Sequence, residues 1–201
     1  MRSNIGTDQA EGLRRLLVRN QTQVITVVAG KPGVGRTSAT INLAAALACL
    51  GKDVLVLDEN HAPNNLLDRL GLHAKHDLLD VAQGKCTLGD AVLVTKGISV
   101  LHTARAMCGF SRLDQVEQQR MEDTLTEVSS GVDVMLVDAA MPAMGLAAVS
   151  SSLASGAALL VADATTSGIT ESYALIKRLA LENARSHFEV IVNKVTDKQA
   201  A

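Results

Sequence analysis

The run Gly30-Lys31-Pro32-Gly33-Val34-Gly35-Arg36-Thr37-Ser38 concentrates residue types suited to holding phosphate. Its glycines let successive backbone N–H groups turn to one side and form a nest for an anion. The Ala/Leu-rich segment behind it reads as a helix, whose amino end adds partial positive charge. Thr37 offers a hydroxyl to Mg2+. The spacing matches the phosphate-loop pattern GxxxxGK[ST], except that Arg36 stands in the lysine position. A glycine-rich turn that binds nothing is the alternative. The place of the run, between an apolar strand and a helix, argues for the phosphate reading.

Other chemistries find little support. Cys49, Cys86 and Cys108 lie far apart, with no CxxC and no Cys/His cluster. Zinc and iron–sulfur sites are therefore not expected, and the thiols read as reduced core or near-core residues of a cytosolic protein. His61 reads as a solvated loop residue, and His73, His76, His102 and His187 show no ligand spacing. No serine sits in a nucleophile elbow. Lys+Arg 19 against Asp+Glu 21 leaves a net charge of -2, with no basic excess for nucleic acid or an anionic membrane. One tyrosine, two phenylalanines and no tryptophan imply an aliphatic core and no platform for stacking bases. The stretch Ala139 to Ala162 carries no charge, but Pro142, Gly145, Gly156 and four serines make it loop, short helix and buried strand rather than a membrane span.

The elements that must position the loop follow from periodicity. Short, nearly continuous apolar runs recur at Val24–Ala29, Val54–Leu57, Ile98–His102, Val132–Val137, Ala157–Ala162 and Phe188–Val192, the pattern of strands covered on both faces. Helical patterns lie between them at Thr37–Leu50, Ser111–Ser129 and Gly168–Ala184, with shorter pieces near Asn65–Leu70 and Leu78–Ala82. Such alternation predicts an α/β protein with a parallel sheet and helices on both sides. In the second long helix, Leu113, Val116, Met121, Leu125 and Val128 read as core, with Arg120, Glu122 and Asp123 solvated. Ligands in these sheets bind beyond the carboxyl ends of the strands. A separate segment, Thr7–Arg19, also reads as a helix, with acidic residues early and arginines late. From spacing alone it is either docked on its own domain or a recognition helix that orders on a partner.

Lys31 at the second loop position makes KPGVGRT resemble the deviant Walker A motif KGGVGKT of the MinD/ParA family. VLVLDENHAPNNL resembles that family's strand and first switch, DADxxxxN. VMLVDAAMPAMG resembles its Walker B strand and second switch, and FEVIVNK the strand whose terminal Asn contacts adenine. The resemblance spans about Val24 to Lys194. It implies a three-layer P-loop NTPase fold of MinD-like type, with a mostly parallel sheet. It also implies roles for particular residues. Gly30, Gly33, Gly35 and the neighbouring Val34 and Ser38 would cradle phosphates, with Arg36 as the phosphate cation. Lys31 would reach the partner subunit's nucleotide in an ATP-dependent homodimer. Thr37, Asp58 and Asp138 would hold Mg2+ or its water shell, and Asn193 would read adenine. Ahead of this domain, Asp8-Gln9-Ala10-Glu11-Gly12-Leu13-Arg14 is similar to the DQAxxLR motif of the FlhG (FleN, YlxH) family, MinD-like ATPases that control flagellar number and placement. That resemblance favours the recognition helix over the docked one. It makes residues 1–20 a partner-activating helix that acts through Asp8, Gln9, Ala10, Leu13 and Arg14 on an FlhF-type GTPase. A flagellar transcription regulator or switch-complex protein is a further implied partner.

The chain departs from the family at three points. Arg36 is planar and bulkier than a lysine, and the exchange is not conservative at a tight site. By the loop pattern alone, Arg36→Lys is expected to tighten ATP binding. Asn60 replaces the second Asp of DAD and cannot take a proton from water, although a neutral amide can orient one. Pro32 removes a loop N–H. A weakened ATPase is expected, with catalytic positions Lys31, Asp58, Asn60 and Asp138. The alternative is a non-catalytic interaction module of the same fold. A ParA-type DNA segregation ATPase fits poorly, because the net charge of -2 offers no basic surface. Residues 21–201 are expected to form the nucleotide-binding domain. That domain is shorter at its carboxyl end than the family's, and no amphipathic membrane-targeting helix is visible. The expected location is cytoplasmic, polar or peripheral to the inner membrane only through partners.

Overall fold

The computed structural model describes residues 22–61, 63–140, 156–183 and 187–195. The expected helix over residues 1–20, and residues 141–145 of the second switch, lie outside the described residues. Seven strands form one sheet: β1 (Gln23–Val28), β2 (Val54–Asp58), β3 (Val92–Thr95), β4 (Ile98–His102), β5 (Val134–Asp138), β6 (Ala157–Asp163) and β7 (Glu189–Asn193). Their order is β3-β4-β2-β5-β1-β6-β7. All neighbours are parallel except β3 and β4. The helices are α1 (Arg36–Cys49), α2 (Leu66–Leu70), α3 (Leu78–Ala82), α4 (Leu88–Ala91), α5 (Ala104–Gly109), α6 (Gln115–Ser130) and α7 (Thr166–Asn183).

β2 (VLVLD) and β5 (VMLVD) are buried along their whole length, because helices cover both faces of the sheet. On one face Leu55, Leu57, Met135 and Val137 pack with Leu78 of α3, Met121 and Leu125 of α6, and Leu175 and Leu179 of α7. On the other, Val54, Val56, Val134 and Leu136 pack with Ala44 of α1 and Leu66 and Leu67 of α2. Each buried Leu or Val side chain is worth about 1.5–3 kcal/mol. This is the three-layer, mostly parallel architecture that the apolar runs imply.

Several local expectations differ. β3 has four residues and joins β4 through Lys96 and Gly97, whose φ values of 47° and 78° make a tight left-handed connection. Such turns favour Asn-Gly or Asp-Gly, so Lys-Gly gave a weak hairpin signal. α6 starts later than Ser111, because the Asp114 carboxylate accepts the Glu117 N–H and Glu117 returns the bond in a capping box. A 3-10 turn, Phe110–Arg112, precedes it. Met121 and Leu125 are core and Leu113 and Val128 pack against it, but Val116 is exposed. Arg120, Glu122 and Asp123 are solvated. Cys49 and Cys108 are exposed rather than core, and Cys86 is half-buried. β7 is an edge strand with Val190, Ile191 and Val192 exposed, not covered on both faces.

Asp77 ties three elements together. It caps α3 through the Leu79 N–H at 2.9 Å. Its carboxylate also accepts the N–H groups of Arg105 (3.0 Å) and Ala106 (3.1 Å) in α5. It pairs with His102 Nδ1 at the end of β4, 3.2 Å away. Burial opposes the Asp77 charge, but the His102 bond and the backbone donors hold the carboxyl below its ordinary value. Burial likewise opposes a charged His102, and Asp77 overcomes it, raising His102. Asp77 therefore contributes stability present above the unfolded value of 3.8 and lost as pH falls through its depressed one. His102 contributes stability present below 6.5 and lost as pH rises through its raised one. Asp77→Ala should cost about 3 kcal/mol or more by urea unfolding at pH 5.5, and clearly less at pH 8.5. An equal loss at both pH values would show that the His102 charge adds nothing to the Asp77 interaction.

Candidate functional site

The loop between β1 and α1 turns back at Gly33 (φ 78°) and Gly35 (φ 100°), conformations that side chains resist. α1 then begins with no side-chain cap on its amides and no acidic residue in its first turn. Asn65, Asp77, Thr87 and Asp114 cap α2, α3, α4 and α6. The amides at the start of α1 are thus left for an external acceptor, as an anion site requires. Gly30 has a packing role, since a Cβ there would come within 2.5 Å of the Glu171 backbone in α7. A side chain on Gly35 would collide with the amide of Asn193. That amide donates to the Val34 carbonyl at 2.8 Å, which brings the end of β7 against the loop. Ser38 Oγ accepts from Arg69 of α2 at 2.8 Å.

Strand register brings the carboxylates together. Asp58 pairs with Asp138 across β2 and β5, and with His102 across β2 and β4. Asp138 is fully buried. Its Oδ1 accepts Arg36 Nε at 2.7 Å and its Oδ2 accepts Thr37 Oγ1 at 2.8 Å. Thr40 Oγ1 lies 3.4 Å from Oδ1. Asp58, also fully buried, accepts the Asn60 N–H at 3.1 Å and the Leu67 N–H at 3.4 Å. Burial raises the Asp58 carboxyl from 3.8 to about 6, and the Asp138 charge adds to the effect against the Asn60 hydrogen bond. Asn60 turns at the end of β2, its carbonyl accepting from Asn65 Nδ2 at 3.2 Å. His61 is exposed, as expected, with its ring edge-on to His102 at 6.2 Å.

Glu59 was not singled out in the sequence. It is 2% exposed, and its Oε2 accepts the Ala140 N–H at 3.1 Å. Burial raises its carboxyl from 4.5 to about 7, reinforced by Asp138 and Asp58 and opposed by the Ala140 bond and the Arg36 charge. The signal was present: a carboxylate where the DAD pattern has alanine. Lys31 also has partners that spacing did not reveal. It pairs with Asp163 at the end of β6 (2.9 Å) and donates to Thr165 Oγ1 and Ser167 Oγ, each 3.0 Å away. The Thr165 hydroxyl first, and Lys31 next, hold the Asp163 carboxyl below its usual range.

Asp138 pairs with the Arg36 guanidinium, itself 8% exposed, while the buried carboxylates of Asp58 and Glu59 lie within reach of the Asp138 charge. Such a cluster is short of positive charge. Thr37, Asp58 and Asp138 form a hard oxygen donor set of the type Mg2+ takes, so these residues fit a bound magnesium nucleotide. No three-membered His/Cys/Asp/Glu metal cluster occurs among the described residues.

A family profile described as "AAA domain" matches residues 22–190. The antiactivator FleN of Pseudomonas aeruginosa is 35% identical over 178 residues, 88% of this chain and 63% of that protein. The chain therefore spans less than two thirds of that relative. The MinD of the MinC:MinD cell division complex of Aquifex aeolicus superposes with a TM-score of 0.69 at 29% identity, over 87% of this chain and 69% of that one. MinD of Pyrococcus horikoshii, solved with Mg-ADP, gives a TM-score of 0.59 at 25% identity, over 84% of this chain and 68% of that one. With the phosphate loop, the paired strand-end aspartates and this sheet order all in place, the chain belongs to the AAA-domain family, and within it is similar to the FleN antiactivator and to the MinD proteins.

Proposed function

We propose that this chain is a MinD-like nucleotide switch that binds ATP with Mg2+, hydrolyses it weakly, and acts on an FlhF-type GTPase through its N-terminal helix to set flagellar number and placement. The observation that carries the nucleotide part is the uncapped start of α1 beside Thr37, Asp58 and Asp138. The amides of Gly33 to Ser38 bind phosphate, and Thr37 and the two aspartates hold the metal. Bound Mg2+ supplies charge neutralisation at the phosphates. Asn193 is the adenine-reading residue of this proposal, and its contact with the loop at Val34 supports that role. Lys31 is the residue for the partner subunit in an ATP-dependent homodimer, once it exchanges Asp163 for phosphate. The likeness to FleN supports the flagellar assignment, and the DQAxxLR residues Asp8, Gln9, Ala10, Leu13 and Arg14 support the GTPase partner. No described helix is long and apolar enough to cross a membrane. The reading places the protein in the cytoplasm, polar or at the inner membrane only through partners.

Weak turnover follows from two side chains. Asn60 can orient water but cannot accept its proton, and losing a general base costs about 10²–10⁴ in rate. Arg36 is engaged by Asp138 at 2.7 Å, so phosphate must compete for it. That ion pair also favours the second reading, a non-catalytic interaction module of the same fold.

Calorimetry should detect ATP binding that strengthens with Mg2+ and is weakened about tenfold or more by Thr37→Ala. No heat from ATP or ADP at any Mg2+ concentration would leave only the interaction-module reading. At saturating Mg-ATP, Asn60→Asp should raise phosphate release by roughly tenfold or more, whereas an unchanged rate would show that the carboxylate is not limiting. A peptide of residues 1–20 should stimulate an FlhF-type GTPase, and replacing Gln9 and Arg14 by Ala should abolish this while sparing nucleotide affinity. Full stimulation by the doubly substituted chain would exclude the helix from that role.

A further inference from the structure

β3 and β7 form the two edges of the sheet, and they are built differently. β3 has four residues and ends in the Lys96–Gly97 turn. Shortness and lysine are two of the devices that keep an edge from pairing with another chain. β7 has neither, and no lysine, proline or glycine interrupts its five residues, EVIVN. It pairs with β6 on one side, and no strand among the described residues pairs with the other. The outward N–H and C=O groups of such an edge are a template for a further strand. Val190, Ile191 and Val192 are also between 40% and 52% exposed. Val190 and Val192 line a groove of about 380 Å³ with Leu160 and Ala162 of β6 and the exposed Ile169 and Tyr173 of α7. An apolar surface that continues onto an open edge marks an interface.

The strand is complementary to itself. Antiparallel pairing of two β7 strands about a two-fold axis at Ile191 sets Ile191 against its own equivalent, Val190 against Val192, and Glu189 against Asn193. Opposed residues share a face of the sheet, so the Val190–Val192 pairs form on the groove side. Glu189 meets a neutral amide residue rather than a second Glu189, and like charges directly opposed are destabilising. This register uses all five residues. One centred on Val192 would set Val190 against Lys194, which at φ 56° has already left the strand. One centred on Val190 would set Val192 against Phe188, ahead of the strand's start.

We propose that β7 is an interface for a second copy of this chain: two β7 strands pair antiparallel about Ile191 and carry the sheet from one protomer into the other. This association is separate from the ATP-dependent homodimer assigned to Lys31. It needs no nucleotide and does not rest on the nucleotide reading. β7 also carries Asn193, whose amide holds the phosphate loop at Val34, so the paired strand stands directly behind that loop.

Sedimentation velocity of the 201-residue chain in EDTA without nucleotide, at about 1–100 μM, should show a concentration-dependent dimer. Ile191→Lys, at an exposed position, should keep the circular dichroism spectrum and weaken the dimer by about tenfold or more. Oxidative cross-linking reads the register. Opposed residues of an antiparallel pair have Cα atoms about 4.5–5.5 Å apart, within disulfide reach, so Ile191→Cys should form a disulfide-linked dimer with its own equivalent. Val190 stands diagonal to its equivalent at about 7–8 Å, beyond that reach. Val190→Cys alone should therefore cross-link no more than the unsubstituted chain, whose exposed Cys49 and Cys108 set the background. A mixture of Val190→Cys and Val192→Cys should cross-link above it. If Ile191→Lys does not fold, the cysteine variants decide the matter alone. A chain that stays monomeric with no excess cross-linking at Ile191 would overturn the proposal. A dimer that survives Ile191→Lys, or equal cross-linking at Val190 and Ile191, would also overturn it, by placing the contact elsewhere.

Discussion

A carboxylate with no exposed surface, Asp138, gathers Arg36, Thr37 and Thr40 at the carboxyl end of β5. A charge in that position must be paired, and the parallel register decides with what. β5 lies between β1 and β2, so the same residue level carries Val27 on one side and Asp58 on the other. The loop that follows β1 has to pass over this level to enter α1. The hydroxyl of Thr37 and the guanidinium of Arg36 are thereby delivered to Asp138 by the chain path itself. β2 and β5 are apolar until their carboxyl ends, where Asp58 and Asp138 stand and the uncapped amides of α1 open.

Much of this was legible beforehand, for identifiable reasons. β2 and β5 are continuous apolar runs ending in Asp, so their type, depth and terminal residue could all be read from one segment. The phosphate loop was legible because glycine spacing is a backbone requirement. Less was visible where the structure depends on distant partners. Lys31 reads as a free loop cation until β6 places Asp163 beside it. His102 shows no ligand spacing, and its partner Asp77 comes from a helix cap 25 residues away by the numbering of the pair. Val116 is apolar but lies about 140° round the helix from Met121, so when α6 turns Met121 and Leu125 inward it faces solvent. β3 is short and its turn uses Lys96, so neither length nor turn chemistry announced it.

The departures at Arg36, Glu59 and Asn60 fall in one cluster and are better treated together than as separate lesions. The DAD pattern places two carboxylates in three residues after the strand. Asp58-Glu59-Asn60 also has two, moved by one position. Successive side chains of an extended segment point to opposite sides. Moving the carboxylate by one residue therefore changes its aim without changing the count. Here it goes inward, to the Ala140 N–H, while Asn60 is engaged through its backbone by Asp58 and Asn65. Replacing lysine by arginine keeps the opposing charge. The charge balance of the site is conserved, and its geometry is redistributed from the water side toward the second switch.

Two cations that a nucleotide would claim are thus held by carboxylates of the same chain, Arg36 by Asp138 and Lys31 by Asp163. A ligand gains from each only the difference between the bond it makes and the bond it breaks. The α1 amides are different, because no side chain competes for them. In the proposed reading, phosphate affinity comes chiefly from backbone, and the side chains report whether the rest of the ligand is present. A divalent ion that draws on Asp138 weakens that residue's hold on Arg36 and makes the guanidinium easier to transfer to phosphate. By linkage, phosphate that draws Arg36 away leaves Asp138 freer to bind the ion, so each ligand strengthens the other by the same factor. Cooperation between metal and nucleotide is then a property of one buried ion pair, and it needs no movement of the sheet beneath it.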